Sequence, residues 1–245
     1  MGEITHKKDV QICIERCALL LDMEKECGCI PYYQPCFHFI EYNDLTDQCI
    51  SPHYIELITQ ADIVVGCDFS MVKGNDISRL YEAIQSGGIS LGFSQKIGTS
   101  LSCLPLNGIY QDLVNKISLD DFLIPIINPT IIKGFIGVDS ADIFSVFRGL
   151  NLARIELASF VISNDDLELA AQMLKVENYL EVSKSKEPYS MLAIIDWSYD
   201  STLEMVEAIG SCCRLLPLSH SYFVLAVPML HLDTQKLYLY TMVKN

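Results

Sequence analysis

The sequence predicts an α/β fold, with a parallel-sheet N-terminal part and a C-terminal α/β part built on a mixed sheet. Two observations carry this. The first is the apolar run Ile63-Val64-Val65-Gly66-Cys67 within residues 61–67, followed by a helical pattern over residues 76–85 and a second apolar run over residues 89–93. Runs of this length between turn formers read as buried strands. Strand, helix and strand in that order make a parallel crossover, the unit of a Rossmann-like sheet. The second observation is the order of elements from residue 140 onward: helix, strand, helix, strand, helix, strand, strand. Such an order packs helices on a mixed sheet.

Composition narrows the class. The 245 residues suffice for one large domain or two small ones; 50% are hydrophobic and 20% charged, as in a well-packed chain. A formal net charge of -14 argues against nucleic acid or an anionic membrane surface as partner. No apolar run reaches the length of a membrane span, and residues 1–10 are polar and charged, so the expected location is the cytoplasm. The ten cysteines are then expected as reduced thiols.

Along the first half, residues 10–26 predict an amphipathic helix, with Ile12, Cys13, Ile14, Cys17, Leu20, Leu21 and Met23 at helical spacing. Gly28 and Pro31 end it. Cys13, Cys17, Cys27, Cys29, Cys36 and Cys49 crowd this region, with His38 and His53 nearby. These are zinc-type ligands, but no Cys-x-x-Cys pair occurs. Thiols without metal are the first reading, and a small metal-binding module is the alternative. Residues 30–51 read as loop with at most one short strand, and residues 54–60 as one or two helical turns. In the crossover unit, Ile77, Leu80, Tyr81 and Ile84 share one helix face, and Gly87-Gly88 close the helix. Residues 96–108 are a loop and residues 109–117 a short helix. Residues 119–127 are strongly apolar, but Pro125 and Pro129 disfavour a continuous helix there.

In the second half, residues 140–147 are helical and residues 150–160 alternate like a strand. Asn164, Asp165 and Asp166 cap a helix running to about Val176, and residues 182–189 read as a polar linker. Residues 191–196 form a strand. Residues 202–213 form a helix, with Ser201 as cap and Glu204 as its capping-box partner. Residues 222–227 and 237–243 form two strands joined by a turn around Asp233.

Two stretches carry chemistry. The loop over residues 68–75 follows a parallel strand, where such folds hold ligands, and offers Gly66, Ser70, Lys73 and Gly74 to a phosphate. It matches neither common phosphate-binding glycine motif, so a solvated lysine in a turn is the simpler reading of Lys73. The other stretch is Gly134-Phe135-Ile136-Gly137-Val138-Asp139-Ser140-Ala141-Asp142. Residues three apart share a helix face, so Asp139 and Asp142 point the same way. Paired carboxylates can orient water or hold a metal, and Asp is equally an N-cap residue. From spacing alone the cap is favoured.

From about Ile131 onward, the chain resembles the C-terminal part of FtsZ, the bacterial relative of tubulin. Phe135-Ile136-Gly137-Val138-Asp139-Ser140-Ala141-Asp142-Ile143 is similar to the family's Leu-Ile-Asn-Val-Asp-Phe-Ala-Asp-Val. Gly134 and both aspartates match, and Gly137 replaces the asparagine. Residues 191–195, 200–208, 222–227 and 236–241 resemble the family's next strand, its Asp-Leu-Thr-Leu-x-Glu helix start and its closing hairpin. The resemblance implies a tubulin/FtsZ-like fold: a degenerate Rossmann-like nucleotide-binding-type domain at 1–130 and an FtsZ/tubulin C-terminal-like domain at 131–245. It also implies that Asp139 and Asp142 are the carboxylates that one subunit brings to the next subunit's nucleotide, with GTP and Mg²⁺ as cofactors. The family's phosphate loop has five glycines in Gly-Gly-Gly-Thr-Gly-Thr-Gly, whereas residues 68–74 hold Gly74 alone. The expectation is a non-hydrolysing protein that associates with itself or another tubulin/FtsZ-like protein. An active GTPase with a divergent phosphate loop is the alternative.

Overall fold

Strand β3 (Ile63–Cys67) pairs in parallel with β4 (Ile89–Ser94), in the register Ile63 to Ile89 and Cys67 to Phe93. The computed structural model describes residues 52–67, 77–86, 88–94, 106–111, 117–136, 138–149, 153–163, 165–199, 201–219, 222–232 and 234–244, with the short pairs 14–15 and 36–37. The chain divides into two units: Met1–Asp120 with Leu150–Leu152, and Asp121–Gly149 with Ala153–Asn245.

In the first unit, helix α1 (Pro52–Gln60) leads into β3, and α2 (Ile77–Ser86) makes the crossover to β4. Ile63, Val64, Val65, Ile89, Leu91 and Phe93 are buried, as the apolar runs predict. Ala83 and Ile84 form the buried face of α2, whereas Tyr81 is exposed. Gly88 is required by close approach: a Cβ there would stand 1.8 Å from the Asp62 carbonyl oxygen, against which the turn bonds through Ile89.

Two expectations change in this unit. Residues 109–117 do not begin a helix; β5 (Gly108–Gln111) continues the sheet in parallel with β4. Asn107 is pinned to Ser90 by three hydrogen bonds of 2.8–3.2 Å involving its side chain or the Ser90 hydroxyl, and Tyr110 stacks on Phe93. Pairing to a waiting strand edge outweighs weak local helical periodicity. Within residues 10–26, Ile14–Glu15 form a short strand, β1, paired antiparallel with β3 at Ile63 and with β2 (Cys36–Phe37). It satisfies backbone groups on the edge of β3 that a helix would leave open. The rest of that predicted helix lies outside the described residues.

The second unit is a sheet in the order β6 (Ala153–Ile162), β11 (Gln235–Val243), β7 (Ser190–Ile195), β9 (Tyr222–Ala226). β11 runs antiparallel to both β6 and β7, and β7 runs parallel to β9. The last two long strands are therefore not a hairpin, because β7 lies between them. A parallel pair, β8 (Trp197–Ser198) and β10 (Met229–Leu232), stands beside this sheet.

Four helices complete the unit. One core gathers Ile195, Leu237 and Leu239 from the sheet with Val176 and Leu180 of α5 (Asp166–Lys184) and Met205, Val206 and Ile209 of α6 (Leu203–Arg214). Tyr240, on the alternate face of β11, meets Phe122 of α3 (Leu119–Ile131) and Phe147 of α4 (Ser140–Phe147).

Three helices differ from what the sequence predicts. α3 is continuous through Pro125 and Pro129. Each proline costs about 3 kcal/mol or more in a helix. Phe122, Leu123, Ile126 and Ile127 are all buried, each contributing about 1.5–3 kcal/mol, which keeps the helix intact. α5 runs to Lys184 instead of Val176, absorbing the start of the predicted linker. Val176, Leu180 and Ser183 are buried, and no glycine or proline interrupts before Pro188. α6 is capped by Thr202, whose side chain accepts from the Met205 amide, while the Ser201 hydroxyl accepts from the Ser198 amide.

Candidate functional site

The stretch over residues 134–142 folds by two local rules. Asp139 is extended and caps α4: its Oδ1 accepts the Asp142 amide at 2.8 Å, and Asp142 Oδ2 accepts the Asp139 amide at 3.2 Å. This reciprocal capping box explains why both residues are acidic at this spacing. The carboxylates sit at the positive end of the helix dipole. Both side chains are exposed. Each spends one oxygen on the cap and keeps the other for water or a partner's donors.

Before the cap, Gly134 makes an isolated antiparallel bridge with Pro228, and the Phe135 amide donates to the Val227 carbonyl at 2.8 Å. A Cβ on Gly134 would stand 2.8 Å from the carbonyl oxygens of both Ile136 and Val227. Gly134→Ala is expected to lose about 1–3 kcal/mol of stability, since backbone has to shift to make room. Denaturant unfolding checks this, and an unchanged midpoint refutes it.

Phe135 stacks on Trp197 with centroids 5.2 Å apart and planes 17° from parallel. The Trp197 amide in turn donates to the Pro228 carbonyl at 3.0 Å, and Trp197 lies opposite Met229 in the β8–β10 pair. Phe135 is nonetheless 47% exposed, and Tyr199, Leu203, Met229 and Leu232 of the same unit are exposed as well. Lys133, Asp139 and Asp142 add exposed charge to the same stretch of chain as Phe135.

Sequence reasoning missed Asp196, which it placed only as a strand end. It joins β7 to β8, is 4% exposed, and its Oδ1 has no hydrogen-bond partner. Burial pushes its carboxyl up to about 7, against the opposing pull of the Lys236 ammonium and the Tyr238 hydroxyl. Burial also raises the Tyr238 phenol, with the Asp196 and Asp121 carboxylates adding to the effect. A lone acid closing an apolar run, directly before the single tryptophan, was the available signal.

Of the predicted phosphate set, Gly66 lies in β3 opposite Gly92. Ser70, Lys73 and Gly74 lie outside the described residues. Most of the N-terminal cysteines also fall outside. Among the described residues, no group of three His, Cys, Asp or Glu side chains is placed to hold a metal. Cys212 and Cys213 are buried free thiols, and burial pushes Cys213 up to about 12 and raises Cys212 as well, which keeps both unreactive. No described helix is long and apolar enough to cross a membrane.

No protein-family model matches the chain, and no curated protein matches it by sequence. Solved structures do. An empty FtsZ dimer from M. jannaschii is similar over 78% of this chain and 66% of its own, with a TM-score of 0.56 at 15% identity. The fold is FtsZ/tubulin-like. A single-site variant of M. jannaschii FtsZ is similar over 78% of this chain and 68% of its own, at a TM-score of 0.52 and 11% identity. The chain spans just under two thirds of the length of the first of these proteins. In this FtsZ-like fold, the mixed sheet β6-β11-β7-β9 carries the capped Asp139 loop beside the Phe135–Trp197 stack.

Proposed function

We propose that this chain acts through subunit–subunit association, in a cytoskeletal or cell-division polymer or as a regulator of one, and does not itself hydrolyse nucleotide. The supporting observation is the capped, exposed Asp139–Asp142 pair set beside a half-exposed aromatic stack. The arrangement suits a docking face: rigid carboxylates to take a partner's donors and apolar side chains to exclude water around them. An FtsZ of this fold has been solved as a dimer, which supports a second copy or another tubulin/FtsZ-like protein as the partner. The loop over residues 68–74, with Gly74 as its single glycine, favours an absent hydrolysis step. On this reading, residues 131–245 are the contact domain and residues 1–130 a degenerate nucleotide-binding-type domain.

Sedimentation and light scattering, with and without an FtsZ-type partner, test this. Asp139→Asn keeps an N-cap acceptor but removes the charge, whereas Asp139→Ala also costs about 0.5–2 kcal/mol of cap. Association is expected to fall at least tenfold in both variants, with a stability loss confined to Asp139→Ala. Equal association by wild type and Asp139→Asn overturns the role of the loop. Saturable GTP binding that disappears in Lys73→Ala would replace this reading with that of an active GTPase.

A further inference from the structure

Three backbone contacts make one crossroads around Asp196. Its amide donates to the Lys236 carbonyl at 2.9 Å, the next amide, that of Trp197, donates to the Pro228 carbonyl, and Pro228 is bridged to Gly134. Trp197 then stacks on Phe135, four residues before the Asp139 of the capping box. Asp196 is thus joined to the Asp139 loop through contiguous contacts.

The Asp196 side chain is poised to shift. Buried with one oxygen unpartnered, it is comfortable as a neutral acid and under-solvated as an anion. The groups around it are Lys236 and Tyr238 on β11 and, beyond Tyr238, Asp121 on α3. The loop against Trp197 carries Lys133, Asp139 and Asp142, all exposed, and β10 carries His231.

We propose that Asp196 is a proton-operated switch setting how the Phe135–Trp197 stack, and with it the Asp139 loop, is presented at the contact face. With the proton on, the β7–β8 corner stays closed and the rings stay stacked. When the proton leaves to solvent, the carboxylate is drawn toward the Lys236 ammonium or water, and the corner loosens.

Trp197 is the single tryptophan, so its emission reports on this corner alone. Dilute full-length protein is titrated from about pH 5 to about pH 9. A one-proton transition in Trp197 emission is expected near neutrality, absent in Asp196→Asn. Tyr238→Phe and Lys236→Met each remove a contact that favours the anion, so both are expected to move the midpoint to higher pH. Flat emission overturns the proposal, as does a transition that survives in Asp196→Asn or is lost in His231→Gln. If Asp196→Asn does not fold, unmoved midpoints in the other two variants overturn it. The consequence for association rests on the contact-face reading, but the emission does not: an intact titration with no association at any pH sinks that reading alone.

Discussion

At pH 8, Asp196→Asn is expected to be more stable than wild type by about 4 kcal/mol at most, and the gain is expected to vanish by about pH 4. The ordinary carboxyl value is 3.8 and the folded value about 7. At about 1.36 kcal/mol per pKa unit, the gap is worth about 4 kcal/mol. The sign follows from proton counts. Between these two values the folded chain holds a proton that the unfolded chain has released, so wild-type stability falls as pH rises. The penalty is absent below the lower value, grows between them and is complete above the upper one. Asparagine does not titrate and escapes it. Two effects trim the gain: an amide without full partners at this site costs about 1–3 kcal/mol, and loosening of the β7–β8 corner relieves part of the penalty in wild type. Urea unfolding at both pH values, with the slope held constant, measures the difference. A difference between the two proteins that does not change between pH 4 and pH 8 would show that the carboxyl is not the titrating group.

Tyr240→Ala is expected to lose about 3–5 kcal/mol, and Tyr240→Phe about 1 kcal/mol. The ring is fully buried on β11, edge-on to Phe122 at 5.9 Å and to Phe147 at 6.4 Å. Its hydroxyl donates to the Phe122 carbonyl at 2.7 Å. One side chain thus ties both α3 and α4 to the sheet, and α4 is the helix that Asp139 caps. Truncation leaves a cavity where the sheet meets both helices, and collapse would have to move two elements to fill it. Paired unfolding curves for the two variants separate the ring from the hydroxyl. A loss below about 2 kcal/mol for Tyr240→Ala would mean that α3 and α4 are anchored elsewhere.

The candidate site was half legible. Asp139 and Asp142 were readable because a capping box is written in four consecutive residues, and the structure forms it as spelled. The aromatic stack was not. Phe135 and Trp197 are far apart in sequence, and it is backbone pairing of both segments with residues 227–229 that brings them side by side. Asp196 was hidden for the same reason: its strand neighbours are apolar, but the charged and polar groups that act on its proton, Lys236 and Tyr238, belong to β11.

The sequence by itself determined the β3–α2–β4 crossover, the caps at Asp139 and Asp165, most of the later helices and strands, and through its motifs the FtsZ/tubulin-like fold. Each of these rests on a period or a cap whose physics acts within a few residues. Only the tertiary structure decided that α3 survives two prolines, that residues 108–111 are a strand, and that β11 slots between β6 and β7. Those outcomes depend on burial and strand pairing with distant partners, which outweigh local preference and leave no mark in the local sequence.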